Sequence, residues 1–359
     1  MKRPWCIDEL RRRAARLPRL PLATLPTPLD DLTRLSAEAG SNVRVLMKRD
    51  DQTGLGLGGN KIRKLEFSFG EARQRGCDVV VHGLAAQSNY CRLTAAAAAK
   101  AGLRCVLALR PGQKDDDPPQ ANRLLDHVFG AEVRMLPPVP QDRVKAEQQR
   151  AKAAIVAELE AQGRTPYLIG EHDEVLGAVA YALCVAEIVE QLDALGTRAD
   201  YLCVAGGVGT QAGLVLGTRL LGVDTKVLGF WPAPDADEPR IRERCAHFAT
   251  QAAALLGADE SFTADEIANT SGYSGPGYGV PNDGCLDALL LLGRTEGLVV
   301  GPTYTAKSLA ATLDCIRTGQ IEAGRTIVFM HTGGTPELFA YNVEVMQHLE
   351  QAGSSAAST

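Results

Sequence analysis

The sequence predicts an α/β protein built around a mostly parallel sheet. Short β-rich runs alternate with longer segments rich in Ala, Leu, Arg and Glu along nearly all of the 359 residues, as successive βα units require. Two glycine-rich segments, at 54–59 and 206–213, each fall between a strand-like and a helix-like run, where open α/β sheets bind ligands. Hydrophobic residues make up 45% of the chain and charged ones 23%, enough to fill the cores of about two domains at roughly 100–200 residues each.

Taken in order, the β-rich runs predict strands over 43–47, 78–82, 105–109, 167–169, 201–205, 226–230, 298–300 and 326–330. Helix-period segments are read over 61–75, 88–101, 119–129, 143–162, 178–195, 211–221, 284–296 and 306–318. Loops are expected at 111–119, with its Asp115-Asp116-Asp117 run, at 136–140 and at 231–239, where prolines cluster. The basic start, Lys2, Arg3 and Arg11 to Arg13, reads as a solvated helix face and lacks the apolar core of a signal peptide. The small polar segment 352–359 reads as a frayed tail.

A net charge of -5 excludes a generally basic nucleic-acid binder. No run approaches the roughly 18 consecutive apolar residues of a membrane span. The nine cysteines form no C-x-x-C pair and read as reduced cytosolic thiols. No metal and no nucleic-acid or membrane partner is expected.

The glycine segments differ in what they offer. Gly207, Gly209 and Ala212 match G-x-G-x-x-A directly after an apolar strand, so backbone N–H groups at a helix start form an anion site suited to a phosphate. A dinucleotide fold also wants an acid at the end of the next strand, where Phe230-Trp231-Pro232 stands and Asp235 comes late. Gly54, Gly56 and Gly59 match G-x-G-x-x-G and lead into Asn60-Lys61 at a helix start. There the positive helix end, Arg63 and Lys64 disfavour the ammonium of Lys61, and a lysine with a lowered pKa is what a Schiff base requires.

Further motifs occur in order along the chain: the segment from Lys48 to Glu66, Gln87-Ser88-Asn89, Gly277-Tyr278-Gly279-Val280-Pro281-Asn282-Asp283, Tyr304-Thr305-Ala306-Lys307-Ser308 and His331-Thr332-Gly333-Gly334. Together these resemble the D-cysteine desulfhydrase and 1-aminocyclopropane-1-carboxylate (ACC) deaminase family. The resemblance implies pyridoxal 5'-phosphate as cofactor and the type II fold of that cofactor class: two open, twisted, mostly parallel sheets flanked by helices. It implies a discontinuous large domain, 1–66 with 170–359, a small domain over 67–169, and a cytoplasmic homodimer acting on a small amino acid.

The resemblance further implies Lys61 as the Schiff-base lysine, and Gly206, Gly207, Val208, Gly209 and Thr210 as the phosphate cradle with Lys64 as a supporting cation. It puts Asn60 or Asn89 near the cofactor's phenolic oxygen and Thr332 near its pyridine nitrogen. Ser88, Asn89, Tyr90, Tyr278 and Tyr304 would face the substrate, with Ser88 beside the reacting carbons and Tyr278 and Tyr304 as the catalytic tyrosines. A neutral hydroxyl at the ring nitrogen favours rapid loss of a β-substituent, giving a 2-oxo acid and ammonia.

The ACC branch usually has Tyr-Glu-Gly-Lys where this chain has Tyr304-Thr305-Ala306-Lys307, so the resemblance is nearer the desulfhydrase branch. The chain departs from the family pattern at Tyr90, at Gly170-Glu-His-Asp-Glu174 and at Gly301, which stands where an Asp usually precedes Pro302. These departures leave open an ACC deaminase, a sulfo-lyase, a β-replacing enzyme or a non-catalytic member; a nicotinamide-linked oxidoreductase rests on the glycine match alone. Among the remaining candidates, His172 to Glu174 read as a solvated loop, since they lack the spacing of a helical metal motif. His331 reads as a satisfied structural histidine, Cys91 as packing and Tyr273 as a loop tyrosine.

Overall fold

A computed structural model describes residues 3–112, 118–206, 208–234 and 238–356. Gly207, the Asp115 to Asp117 run and Asp235 lie outside the described residues. The strands, in chain order, are β1 (Leu29–Asp31), β2 (Arg44–Lys48), β3 (Val79–His82), β4 (Arg104–Leu109), β5 (Glu132–Met135), β6 (Pro166–Leu168), β7 (Tyr201–Ala205), β8 (Lys226–Phe230), β9 (Ala268–Thr270) and β10 (Thr326–Met330). They form two sheets, β1-β2-β10-β7-β8-β9 and β5-β4-β3-β6. Every pairing is parallel except that of β1 with β2. The smaller sheet is drawn from residues 79–168 and the larger from both flanks of that stretch.

The helices are α1 (Ile7–Ala14), α2 (Thr33–Ala39), α3 (Lys61–Gln74), α4 (Asn89–Ala101), α5 (Ala121–Val128), α6 (Gln141–Ala161), α7 (His172–Ala194), α8 (Val208–Leu221), α9 (Glu238–Leu255), α10 (Asp283–Glu296), α11 (Thr305–Arg317) and α12 (Asn342–Ala356). Three readings of the sequence are corrected. Residues 298–300 form no strand: Val299 is 40% exposed, and its carbonyl accepts from the His331 imidazole Nε2 at 2.9 Å instead of from a neighbouring strand. Residues 172–174 are no loop but the first turn of α7, which begins six residues before the expected start. Most of the expected polar tail, 352–356, is the end of α12.

The strands that went unread, β1, β5 and β9, are three or four residues long and carry polar side chains, so burial leaves little pattern in them. α9, over which no helix is read from the sequence, begins directly behind prolines at 232 and 234 and carries Pro239. Pro239 sits in the first turn, where its missing N–H costs no helical hydrogen bond.

α7 is long and apolar enough to cross a membrane by length and composition, but 72% of its most apolar window is buried inside the fold. Its partner is α8, which carries Gly209, Gly213 and Gly217 at four-residue spacing on one face. A Cβ on Gly213 would lie 2.4 Å from the Ala178 carbonyl oxygen, and one on Gly217 would lie 2.7 Å from a Val185 methyl. The two backbones therefore meet where no side chain fits, and this contact fixes the start of α8 against the start of α7. Gly213→Ala is expected to destabilise the fold by about 1–3 kcal/mol through overpacking. Gly293→Ala, in α10 with its nearest neighbour 3.8 Å away, is expected to stabilise by up to about 1 kcal/mol. Urea midpoints of the two variants check both signs.

Candidate active site

In the larger sheet, β7 and β10 lie side by side, and the chain leaves β7 toward β8 on one side while β10 pairs with β2 on the other. Ligands of open parallel sheets bind outside the carboxyl ends of the strands at such a reversal. The loop after β7 runs into α8, the loop after β10 carries His331 to Gly334, and the segment after β2 leads to Lys61.

These loops meet through backbone. The N–H of Asn60 donates to the Thr332 carbonyl at 3.0 Å, and a Cβ on Gly333 would lie 2.8 Å from the Gly59 Cα. Gly59 has φ +132° and Gly333 φ +97°, so both positions need a glycine for conformation as well as for space. His331 holds the second loop as a neutral imidazole, giving its Nε2 hydrogen to Val299 and accepting from the Gly333 N–H at Nδ1, 3.2 Å away; burial holds its pKa below the ordinary value. Arg92, buried in α4, donates to the carbonyls of Gly56 and Gly58 and ties down the turn before Lys61.

Lys61 opens α3 and is half-buried. Burial first, and the Lys64 ammonium second, bring its pKa down to about 8 against an opposing pull from Glu174, so much of the amine is neutral in mildly alkaline solution. Asn60 Nδ2 donates to Thr210 Oγ1 at 3.2 Å, which brings the start of α8 beside Lys61. Gly206 is held against β8, its N–H donating to the Phe230 carbonyl at 2.6 Å, and Val208 turns its side chain into the core. One turn after Lys61, the Lys64 ammonium pairs with Glu174 Oε1 at 2.6 Å and lies 4.1 Å from the centre of the Tyr90 ring. Glu174 Oε2 accepts from the Gly209 N–H at 3.1 Å. An anionic oxygen thus already rests on the N-terminus of α8 and on a lysine, which shows that the donors there suit a phosphate. With the desolvated amine of Lys61 alongside, the residues present fit a phosphate-bearing aldehyde cofactor.

On the facing side, Ser88 caps α4, its Oγ accepting from the N–H groups of Tyr90 and Cys91 at 3.2 Å each. Both polar atoms of Asn89 are engaged: Nδ2 donates to Glu337 Oε2 at 2.8 Å, and Oδ1 accepts from Asn122 Nδ2 at 2.9 Å. The hydroxyls of Tyr278 and Tyr304 are hydrogen-bonded, with the rings edge to face at 5.7 Å. Thr305 Oγ1 donates to the Gly333 carbonyl at 3.0 Å and lies 3.3 Å from Thr332 Oγ1. The structure therefore joins Asn60, Lys64, Gly209, Thr210 and Thr332 through one chain of contacts that includes Glu174, with Lys61 beside Asn60 at the start of α3. Tyr90 stands apart from the tyrosine pair by its contacts: its ring packs edge-on against His82 at 4.3 Å, and its buried hydroxyl has no hydrogen-bond partner among the described residues.

Two acidic residues were not read from the sequence as parts of this site. Glu174, which the sequence places in a solvated loop, lies in the first turn of α7. Glu337 is 1% exposed, and burial lifts its pKa to about 7 against the pull of Asn89 and Thr303. Its Oε1 accepts from the Thr303 N–H at 3.1 Å, and a Cβ on Gly301 would lie 2.3 Å from that oxygen. The side-chain space given up at Gly301 is thus taken by the Glu337 carboxylate. That glycine, standing where an acid is usual, was the available signal.

The family model described as pyridoxal-phosphate dependent enzyme matches residues 20–333. A D-cysteine desulfhydrase of Yersinia enterocolitica is 38% identical over 94% of this chain and 99% of its own length. An ACC deaminase of Burkholderia vietnamiensis is 36% identical over 91% and 97%. The crystal structure of an ACC deaminase homologue, 33% identical, superposes with a TM-score of 0.83 over 95% of this chain and 99% of that one. The reading of the glycine loop as a dinucleotide site falls with these matches, and β8 ends on Phe230, followed by Trp231 and Pro232 where that site wants an acid. On this evidence the chain is a member of the pyridoxal-phosphate dependent enzyme family, with the type II fold and the cofactor that the family name states.

Proposed function

We propose that this enzyme eliminates the β-substituent of a small amino acid, in the manner of a D-cysteine desulfhydrase, releasing a 2-oxo acid, ammonia and the leaving group. When bound, the cofactor withdraws electrons from the substrate's α-carbon. Lys61 would hold it through its amine, and that amine is the group placed to take the substrate's α-hydrogen. Gly206, Val208, Gly209 and Thr210 supply the phosphate cradle with Lys64, and Asn60 steadies it through Thr210. Gly207 belongs to the same proposed loop. Ser88 and the start of α4 receive the substrate carboxylate, with Asn89 oriented for that task by Glu337 and Asn122.

Burial raises the pKa of both Tyr278 and Tyr304, so both remain phenols at neutral pH. Their mutual hydrogen bond uses one hydroxyl hydrogen and leaves the other free for a departing group.

The observation that carries elimination over ring opening is Thr305. Where the ACC branch usually has a carboxylate, this chain has a buried hydroxyl bonded back to Gly333 and beside Thr332. An assay of ammonia and 2-oxo acid from D- and L-enantiomers of cysteine, serine and β-chloroalanine, and from ACC, is expected to show D-cysteine turned over with release of sulfide and ACC left intact. Turnover of ACC in preference to all β-substituted substrates would reverse this reading. Inactivity of the cofactor-loaded protein on every compound would favour a non-catalytic member or a different leaving group, such as a sulfonate.

We further propose that residues 67–169 form the smaller of two domains, with 1–66 and 170–359 forming the larger, and that the protein works as a cytoplasmic homodimer. The support for these is the resemblance, together with the small sheet's origin within 79–168.

A further inference from the structure

The reading of α8 as the phosphate site leaves one side chain without a role there: Glu174. Its carboxylate takes the same two donors that a phosphate would take, the Gly209 N–H at 3.1 Å and the Lys64 ammonium at 2.6 Å. Its position follows from the fold. α7 begins at His172, and the glycine face of α8 brings the two helices together so closely that a Cβ on Gly209 would lie 2.6 Å from both the carbonyl oxygen and Oε2 of Glu174. Burial works against its charge, but Lys64 and then Lys61 outweigh it, so Glu174 is an anion across the neutral range.

We infer that Glu174 is a built-in competitor for the cofactor's phosphate, and that it sets how tightly the phosphate-bearing form is held. A phosphate arriving at the start of α8 either displaces the carboxylate from Gly209 and Lys64 or sits beside it. In the first case it loses binding to the exchange, and in the second to repulsion between like charges in a partly buried site. Neither penalty touches a cofactor form that lacks the phosphate.

The inference rests on the proposed phosphate cradle, and the test separates the two. Binding of pyridoxal phosphate and of pyridoxal to the cofactor-free full chain is measured by the absorbance change on attachment, for the wild type, Glu174→Gln and Lys64→Gln. Glu174→Gln is expected to tighten pyridoxal phosphate by about tenfold or more relative to pyridoxal, the gain made through the Lys61 amine being common to both ligands. Lys64→Gln is expected to weaken pyridoxal phosphate selectively.

If Lys64→Gln weakens pyridoxal phosphate but Glu174→Gln leaves it unchanged or weaker, the role given to Glu174 is wrong and the cradle stands. If neither substitution alters the ratio of the two affinities, the cradle itself is misplaced. An equal gain for both ligands also overturns the inference, because the effect would then lie away from the phosphate. Glu174→Asn provides the same reading should the Gln variant not fold.

Discussion

Lys61→Ala is expected to lower turnover by about 10²–10⁴-fold or more, because under the proposed function the variant loses both the group that would hold the cofactor and the positioned base. The fold should survive. Lys61 is half-buried at the start of α3, and the contacts that hold that turn are made by Asn60 to Thr332 and to Thr210. The variant should therefore keep the wild-type circular dichroism and urea midpoint while being unable to fix the cofactor covalently. Activity within about tenfold of wild type, measured on the best substrate of the amino-acid panel, would show that another group does this work.

The second large effect is expected in stability. Two residues after Lys61, Arg63 is 2% exposed and lies between two buried acids. Its Nε and Nη2 donate to Asp50 at 2.8 Å each, and its Nη1 and Nη2 donate to Glu187 at 2.7 and 2.9 Å. Lys48, fully buried, pairs with Glu187 at 2.9 Å, while Tyr181 and Thr27 donate to Asp50 at 2.7 and 2.8 Å. Arg63→Met removes one member and leaves two buried carboxylates with a single lysine, which should cost about 3–5 kcal/mol.

The pH dependence gives that result a sign. Burial alone would raise Asp50 and Glu187, but Arg63 outweighs it and holds both below their ordinary values. Their contribution is therefore present above the unfolded carboxylate range near pH 4 and is lost as pH falls through the lowered folded values. In Arg63→Met the main opposing charge is gone and burial raises both acids, so the deficit against wild type should shrink on acidification from pH 7 to pH 5. Urea midpoints at the two pH values check it. A deficit below about 1 kcal/mol at pH 7 would mean that the cluster is not held by Arg63.

How legible the site was in the sequence follows from the kind of interaction each residue makes. The lowered pKa of Lys61 could be read because its environment is local: a helix start, a glycine turn and two cations within three residues. The place of Gly209 and Thr210 at a helix start directly after a strand could be read because a glycine-rich turn following an apolar run marks that junction. The major parallel strands, β7, β8 and β10 among them, were visible as continuous apolar runs, since both faces of such strands are covered.

Glu174 and Glu337 were not legible, because each takes its meaning from a partner far away in sequence. Glu174 faces the site only because α7 starts early and packs on the glycines of α8. Glu337 fills space made by Gly301. The same cause explains 298–300, an apolar run that no strand neighbours and whose middle carbonyl serves a histidine instead.

Holding the cofactor on Lys61 is the claim on which the other assignments depend, and it can be tested in one experiment. The yellow, cofactor-loaded full chain is reduced with borohydride, digested, and its pyridoxyl-bearing peptide identified by mass spectrometry. The label should fall on Lys61, in the segment Gly58-Gly59-Asn60-Lys61, with the Lys61→Ala variant unlabelled. A label on Lys64 or on any other lysine, or its persistence in Lys61→Ala, would contradict the assignment of this site.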